Sequence, residues 1–354
     1  MKDVIAKIDN PLSDLISDEI YDLLDIKFDR YYFNSQCEQP GKEVVQDLID
    51  RGIARDERPE GAVIVKIDEI LGSKNDKYRV LVVLRSDSTA LYATEDLALA
   101  RQKFTDYPDL KKSFYVVDVR QSLHFQQIFK TLEIAGYPWA ERCQHIPYEL
   151  VNLPGNVVMA SREGTVVLLE DLIREATSRA LAVVKEKNPD LEPEKQLAIA
   201  KAVGIGAIKY PMLDRENTKI VTFDWESALD FNGQAAPYIQ YAFVRAGSIL
   251  RKNTHDVPGE MEPGYDLTSQ EVELINMISR LPGEVQRSAA ELRPLWIATY
   301  AYELAKSFND FYTQCPVLQA AEPARSFRLR LVAATRQTIA NSLALLGITA
   351  PQAM

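Results

Sequence analysis

Apolar residues follow two rhythms along this chain. In the first part they gather into short runs rich in β-branched residues. Arg79-Val80-Leu81-Val82-Val83-Leu84 is one, Phe114-Tyr115-Val116-Val117-Asp118-Val119 is another, and Ala62 to Ile67 is a third candidate. Between the first two, Thr94 to Phe104 carries Leu97, Ala98, Ala100 and Arg101, a helical composition. Strand, helix, strand in this spacing predicts a βαβ crossover and a parallel sheet.

Later the spacing changes to three and four. Leu169, Leu172, Ile173, Ala176 and Ala180 predict a helix over 168–187. Asn188-Pro189-Asp190 breaks it, and Glu192-Pro193-Glu194 starts another, with proline and acids in the first turn. Segments 235–252, 269–281, 294–313 and 323–346 read as amphipathic helices. In the last, Val332, Thr335, Ile339, Leu343 and Leu346 form one face, and Gly347 is placed to cap it. Residues 255–266, with Pro258, Gly259, Pro263 and Gly264, predict a loop. The expected fold is a mixed α/β portion over 1–230 and an all-helical bundle over 231–354. No internal repeat interrupts this division.

Charge sharpens the boundary. The chain has 354 residues, 41 basic and 51 acidic, for a net charge of -10. Residues 1–230 hold 30 basic and 40 acidic residues, whereas residues 231–354 hold 11 of each. Arg325, Arg328, Arg330 and Arg336 give the last thirty residues a local +4 without an acid. Binding nucleic acid by bulk charge alone is thus excluded. Cys37, Cys143 and Cys315 lie far apart, so no zinc site or disulfide framework is expected. The charged start lacks a signal-peptide core, and no apolar run is long enough to span a membrane. A cytoplasmic protein is expected, with no membrane or DNA partner.

Candidate chemistry concentrates at the ends of the β-rich runs. Segment 85–96 leaves one run, turns through small polar residues and enters a helix, which is where α/β sheets hold ligands. Tyr92 and Asp96 are four apart and share a helix face there. A carboxylate beside a phenol suits a planar guanidinium; equally, Asp96 can merely favour the helix start through the dipole. Gln121 sits past the next run, as a ligand amide or an ordinary surface residue. The loop 157–167 has small residues and Arg162, next to Glu163. His124, His145 and His255 are isolated, no GxSxG or P-loop occurs, and Gly204-Ile205-Gly206 lacks the third glycine of a dinucleotide fingerprint.

In order, these segments resemble the arginyl-tRNA synthetases, a class I aminoacyl-tRNA synthetase family, which implies an incomplete Rossmann-like α/β catalytic portion over 1–230 followed by a helical anticodon-binding domain over 231–354. The resemblance is carried by Asp87-x-Thr89, Tyr92-Ala93-Thr94-x-Asp96, Gln121-x-x-His124-Phe125 and Met159-x-Ser161-Arg162-x-Gly164-Thr165. It continues through Phe223-Asp224-Trp225, Asn232-Gly233-Gln234-Ala235-Ala236-Pro237-Tyr238-Ile239-Gln240-Tyr241, Phe308-Asn309-x-Phe311-Tyr312 and the ending Leu346-Gly347-Ile348-x-x-Pro351-x-x-Met354. It implies arginine binding by Tyr92, Asp96 and Gln121, and ATP binding by Met159, Gly164 and His124. It implies catalytic roles for Ser161 and Arg162 in a KMSKS-type loop. Tyr238, Tyr241, Tyr312 and Met354 would lie against unstacked anticodon bases, which does not require a basic surface. The implied substrates are arginine, its tRNA and ATP with Mg as counter-ion; no tightly bound metal is implied.

The chain also departs from the family. The His-x-Gly-His motif that holds ATP phosphates has no counterpart among His124, His145 and His255. Val158, Glu163 and Glu95 stand where the family tends to have basic residues, and a carboxylate near a triphosphate is repulsive. The expectation is therefore a carboxyl-terminal portion of an arginine–tRNA ligase, inactive in adenylation alone and working with a separate amino-terminal part. The alternative is a degenerate paralogue that binds tRNA or arginine as a regulator or scaffold. An exposed sheet edge is expected where strands are missing.

Overall fold

In a computed structural model, residues 20–153, 157–158, 168–254, 259 and 262–354 are described. The chain divides into two compact units: residues 28–149, and residues 150–354 together with the segment ending at Lys27.

The 28–149 unit starts with helix α1 (Asn34–Asp50), which the sequence reading did not anticipate because Pro40 and Gly41 interrupt its pattern. Gly41 is needed for close approach: a Cβ there would lie 2.5 Å from the Thr94 carbonyl oxygen. Strands β1 (Arg55–Asp56), β2 (Val63–Lys66) and β3 (Val80–Leu84) form an antiparallel sheet in that order. Helix α2 (Tyr92–Asp106) follows β3. Strand β4 (Ser113–Asp118), helix α3 (Ser122–Ile134) and strand β5 (Cys143–Tyr148) then make a crossover whose strands pair in parallel, from Ser113 opposite Cys143 to Asp118 opposite Tyr148.

The parallel crossover thus lies one element later than expected. β3 pairs antiparallel with β2, Ile64 opposite Val82, rather than joining β4. Its Val80 and Val82 are exposed while Leu81 and Val83 are buried, the period-two pattern of a one-sided sheet. β5 escaped the reading because Cys-Gln-His-Ile-Pro-Tyr is a poor β-former. Val45, Leu48, Val63, Val83, Leu97 and Ile128 are completely buried between the antiparallel sheet and helices. Each such side chain contributes about 1.5–3 kcal/mol.

In the other unit, β6 (Val151–Leu153) pairs antiparallel with β7 (Val157–Val158) and parallel with β8 (Val221–Thr222). Helices α4 (Leu169–Lys187) and α5 (Pro193–Leu213) form a hairpin. Gly204 lets them touch: a Cβ there would lie 2.9 Å from the Ala176 carbonyl carbon and from Thr177 N. Gly206 faces α6, where a Cβ would lie 3.1 Å from Gln240 Nε2. Gly204 and Gly206 are therefore packing residues inside a helix, with no strand before them to make a dinucleotide turn.

Five longer helices follow: α6 (Ala236–Lys252), α7 (Ser269–Ser279), α8 (Leu281–Glu291), α9 (Leu295–Gln314) and α10 (Ala324–Leu345). Pro282 at the start of α8 separates it from α7, beyond the single helix expected there. The core they share includes Ile239, Phe308, Phe311, Leu304, Val332 and Ile339, all completely buried. Glu271 is also fully buried. Its carboxylate takes Arg328 Nε at 2.7 Å and Thr268 N at 2.7 Å, tying α7 to α10.

Candidate functional site

The 28–149 unit brings two of the expected site residues into contact. The loop after β3 is set by Asp87, whose Oδ1 accepts from Thr89 N at 2.9 Å, and by Ser88 in the left-handed region. Thr94 then anchors the start of α2. Its hydroxyl donates to the Val83 carbonyl and accepts from Leu91 N. One turn into α2, Asp96 faces α3, and His124 Nε2 donates to Asp96 Oδ2 at 2.6 Å. Both side chains are about three-quarters buried, at 23% and 24% exposure.

Tyr92 lies one turn before Asp96 and is 77% exposed. Gln121, also exposed, ends the short 3-10 turn that leads from β4 into α3, three residues before His124. The Asp96–His124 bond therefore ties together two helix starts that carry Tyr92 and Gln121 at i, i+4 and i, i+3 spacing. Among the described residues, neither Tyr92 nor Gln121 bonds to the pair. His124 is packed edge-on against Phe125 at 5.2 Å. His145 has a structural bond, donating from Nε2 to the Val117 carbonyl at 3.0 Å.

Two charged neighbours modify the site. Burial, then the Asp96 and Glu38 charges, push the Glu95 carboxyl above its ordinary range. Lys103, seven residues after Asp96 on the same helical face, lies 4.0 Å from the centre of the Tyr115 ring. Burial lowers its ammonium pKa. The sequence reading passed over Lys103, although its spacing from Asp96 was a readable signal. Met159, Ser161, Arg162 and Gly164, with Glu163, lie outside the described residues, as does His255.

A second site is built within the helical bundle. A cavity of 390 Å³ is lined by Tyr241, Arg245, Tyr312, Leu318, Gln319 and Met354, among others. The Arg245 guanidinium stacks between two rings, 4.7 Å from Tyr241 and 5.0 Å from Tyr312. Its Nη1 donates to Asn309 Oδ1 at 2.6 Å. The rings remain 36% and 43% exposed. Tyr238 is not among the cavity's lining residues; it is half-buried against the bundle core, 5.4 Å from the Tyr302 ring.

The expected +4 of the terminal segment is not free charge. Arg325 pairs with Glu322 at 2.8 Å, and Arg328 pairs with buried Glu271. Both acids lie outside the terminal segment, Glu322 three residues before it and Glu271 on α7. Among the described residues no group of three or more His, Cys, Asp or Glu side chains gathers as a metal site.

A model of the class I tRNA synthetase (R) catalytic domain matches residues 3–225. The chain belongs to the arginyl-tRNA synthetase family. A model of the DALR anticodon binding domain matches residues 239–354. The chain is 38% identical over 339 residues to an arginine–tRNA ligase of Clostridium perfringens, covering 95% of this chain and 58% of that one. It is 36% identical over 338 residues to one of Clostridium botulinum, with the same coverage. Thermus thermophilus arginyl-tRNA synthetase superposes with a TM-score of 0.81 at 30% identity, covering 94% of this chain and 61% of that one. The chain thus spans 58% of the length of these curated relatives. As a class I arginyl-tRNA synthetase family member, it combines an α/β catalytic-type portion with a helical DALR-type portion. Among the described residues no helix is long and apolar enough to cross a membrane.

Proposed function

We propose that this chain supplies the arginine-recognising and tRNA-reading parts of an arginine–tRNA ligase. Residues 231–354 form the anticodon-binding part, and residues up to 230 belong to the catalytic part. The observation that carries this reading is the cavity with Tyr241, Tyr312 and Met354 in its walls. Two half-exposed phenols and a thioether offer stacking surface to an unpaired base, and Arg245 adds a cation without opening a broad basic patch. A bundle with no net charge can hold RNA in this way. Binding of an arginine tRNA transcript tests it: Tyr241→Ala is expected to weaken binding, and unchanged affinity would remove the cavity from the RNA site.

In the same reading, arginine lies with its guanidinium toward Asp96, flanked by Tyr92 and Gln121. His124 holds Asp96 in place through Oδ2, leaving Oδ1 for the ligand. Met159, Gly164, Ser161 and Arg162 would face ATP and its Mg counter-ion. The arginine carboxylate then attacks the α-phosphate, pyrophosphate leaves, and arginyl-adenylate forms. A terminal ribose hydroxyl of the tRNA next attacks the carbonyl carbon and displaces AMP. Catalysis is positioning plus stabilisation of phosphate charge, with no enzyme nucleophile. Calorimetry of arginine against the chain and its Asp96→Ala variant tests the pocket, and equal affinities would exclude Asp96.

We further propose that an amino-terminal polypeptide completes the ATP side. The support is physical. Parallel sheets are normally covered on both faces, yet β4 and β5 turn Phe114, Val116 and Tyr148 outward at 41%, 63% and 47% exposure. The chain alone is expected to give no arginine-dependent ATP–pyrophosphate exchange; robust exchange without a partner would refute this. A degenerate, non-catalytic RNA binder is the second reading, favoured by Glu95 beside Asp96. It is distinguished by a failure of exchange even after the missing portion of a relative is added.

A further inference from the structure

The last eight residues leave α10 at Gly347, whose positive φ of +62° turns the chain. From there the segment is fastened at several residues. Lys209 Nζ, on α5, donates to the Gly347 carbonyl at 2.6 Å. Ile348 is buried against Gly206, where a Cβ would lie 3.2 Å from Ile348 Cγ2. Gln240 Nε2 donates to the Thr349 carbonyl at 2.8 Å and to the Ala202 carbonyl at 3.1 Å. Gln240 is itself fully buried on α6, so its amide joins the terminal segment to α5 from within the core.

Two arginines hold the next stretch. Arg336 Nη2 donates to Gln352 Oε1 at 3.0 Å, and Arg251 Nη1 donates to the Gln352 carbonyl at 3.4 Å. Arg336 also stacks on Phe243 at 4.3 Å. Gly247 makes room for both guanidiniums: a Cβ there would lie 3.1 Å from Arg336 Nε and 3.2 Å from Arg251 Nη1. Two residues beyond Gln352, Met354 packs against the bundle core and the α4–α5 hairpin, and it lines the Tyr241–Tyr312 cavity.

We propose that Gln240, Arg251 and Arg336 are positioning residues that fix the terminal segment, so that Met354 forms a wall of the base-binding cavity before RNA arrives. This rests on the reading of the cavity as an RNA site. An unfastened segment would otherwise lose its conformational freedom on binding, at the expense of affinity. Arg336 then acts through Gln352 and not by touching phosphate.

Gln352 is exposed and does not line the cavity, so Gln352→Ala removes the clamp's side-chain bond to Arg336 without touching the cavity wall, while the bonds from Arg251 and Gln240 to backbone carbonyls stay in place. The expected result is about two- to tenfold weaker binding of an arginine tRNA transcript at an unchanged thermal midpoint. Combined with Met354→Ala, the change is expected to add no further loss, because both act through one wall. The Met354 methyl resonance of the RNA-free chain should move toward its unstructured position in Gln352→Ala. Arg336→Met should weaken binding with an unchanged salt slope. Unchanged affinity or an unmoved Met354 resonance in Gln352→Ala, or fully additive losses with Met354→Ala, would overturn the clamp. So would a salt slope reduced by about one in Arg336→Met, the sign of a direct phosphate contact. If Tyr241→Ala and Met354→Ala both bind RNA as tightly as the parent, the cavity reading fails and the clamp's role with it; if only Gln352→Ala is silent, the cavity reading stands.

Discussion

The two sites are finished to different degrees. The bundle cavity has its rings, its stacked arginine and its terminal methionine all in place, on a core closed by five helices. The Asp96–His124 pair sits where two helix starts meet, and the outer face of its neighbouring strands β4 and β5 is apolar and bare. Two hydrogen-bonded side-chain pairs show the same contrast. Arg328–Glu271 is 12% and 0% exposed, whereas His124–Asp96 is 24% and 23% exposed. One is a structural tie inside a completed core. The other leaves its carboxylate partly open to solvent.

The comparison can be broken by substitution. The largest stability effect is expected for Arg328→Met, which leaves the Glu271 carboxylate buried and unpaired, a loss of about 3–5 kcal/mol in thermal unfolding. Burial alone would raise the Glu271 carboxyl, but bonds from Tyr265, Arg328 and Thr268 hold it below its ordinary value. Its stabilising contribution is therefore present above the unfolded carboxyl pKa and is lost as pH falls through the lower folded value. A loss of about 1–3 kcal/mol is expected for Gly204→Ala, since the new methyl group meets helix backbone and not a movable side chain. A similar or greater loss than for Arg328→Met on removing the His124 imidazole would erase the distinction between the two pairs.

Smaller effects sharpen it. Val116→Lys on the bare sheet face is expected to change stability by no more than about 0.5 kcal/mol in the chain alone. A large loss in urea unfolding would mean that this face is already covered. Asp214 offers a pH test in the helical region. Its carboxyl is half-buried, and burial pushes its pKa up to about 6 although Gln234 Nε2 donates to it. The folded state therefore binds this proton more tightly than the unfolded state does. Asp214 contributes rising stability as pH falls from 7 through about 6 toward the ordinary carboxylate value. Replacement by Asn should flatten that part of the stability profile, and an unchanged profile would show Asp214 to be well solvated.

Much of the fold was legible because helix periodicity and strand composition are local. The face of α10 and its glycine cap, the break at Asn188-Pro189-Asp190 and the restart at Pro193 all follow from nearest neighbours along one element. Strand partners were not legible. Nothing within Arg79–Leu84 says whether it meets a parallel or antiparallel neighbour, and α1 was concealed by Pro40 and Gly41, whose reason is contact with Thr94. At the sites, Tyr92–Asp96 and Tyr241 were visible as spacing and resemblance. Tyr238 and Tyr241 looked alike in sequence, yet only Tyr241 lines the cavity, while Tyr238 packs beside the Tyr302 ring.

The order of residues alone thus determined the two-part character of the chain, most of its long helices and its membership of a synthetase family. Those properties depend on short-range patterns and on the ordered set of motifs. Tertiary structure decided that His124 bonds Asp96, that the arginines of the terminal segment answer to Glu271, Glu322 and Gln352, and that Gly204 and Gly206 serve helix packing. Each of these depends on groups distant in sequence coming within a few ångströms, and hydrogen bonding and close packing are decided at that range.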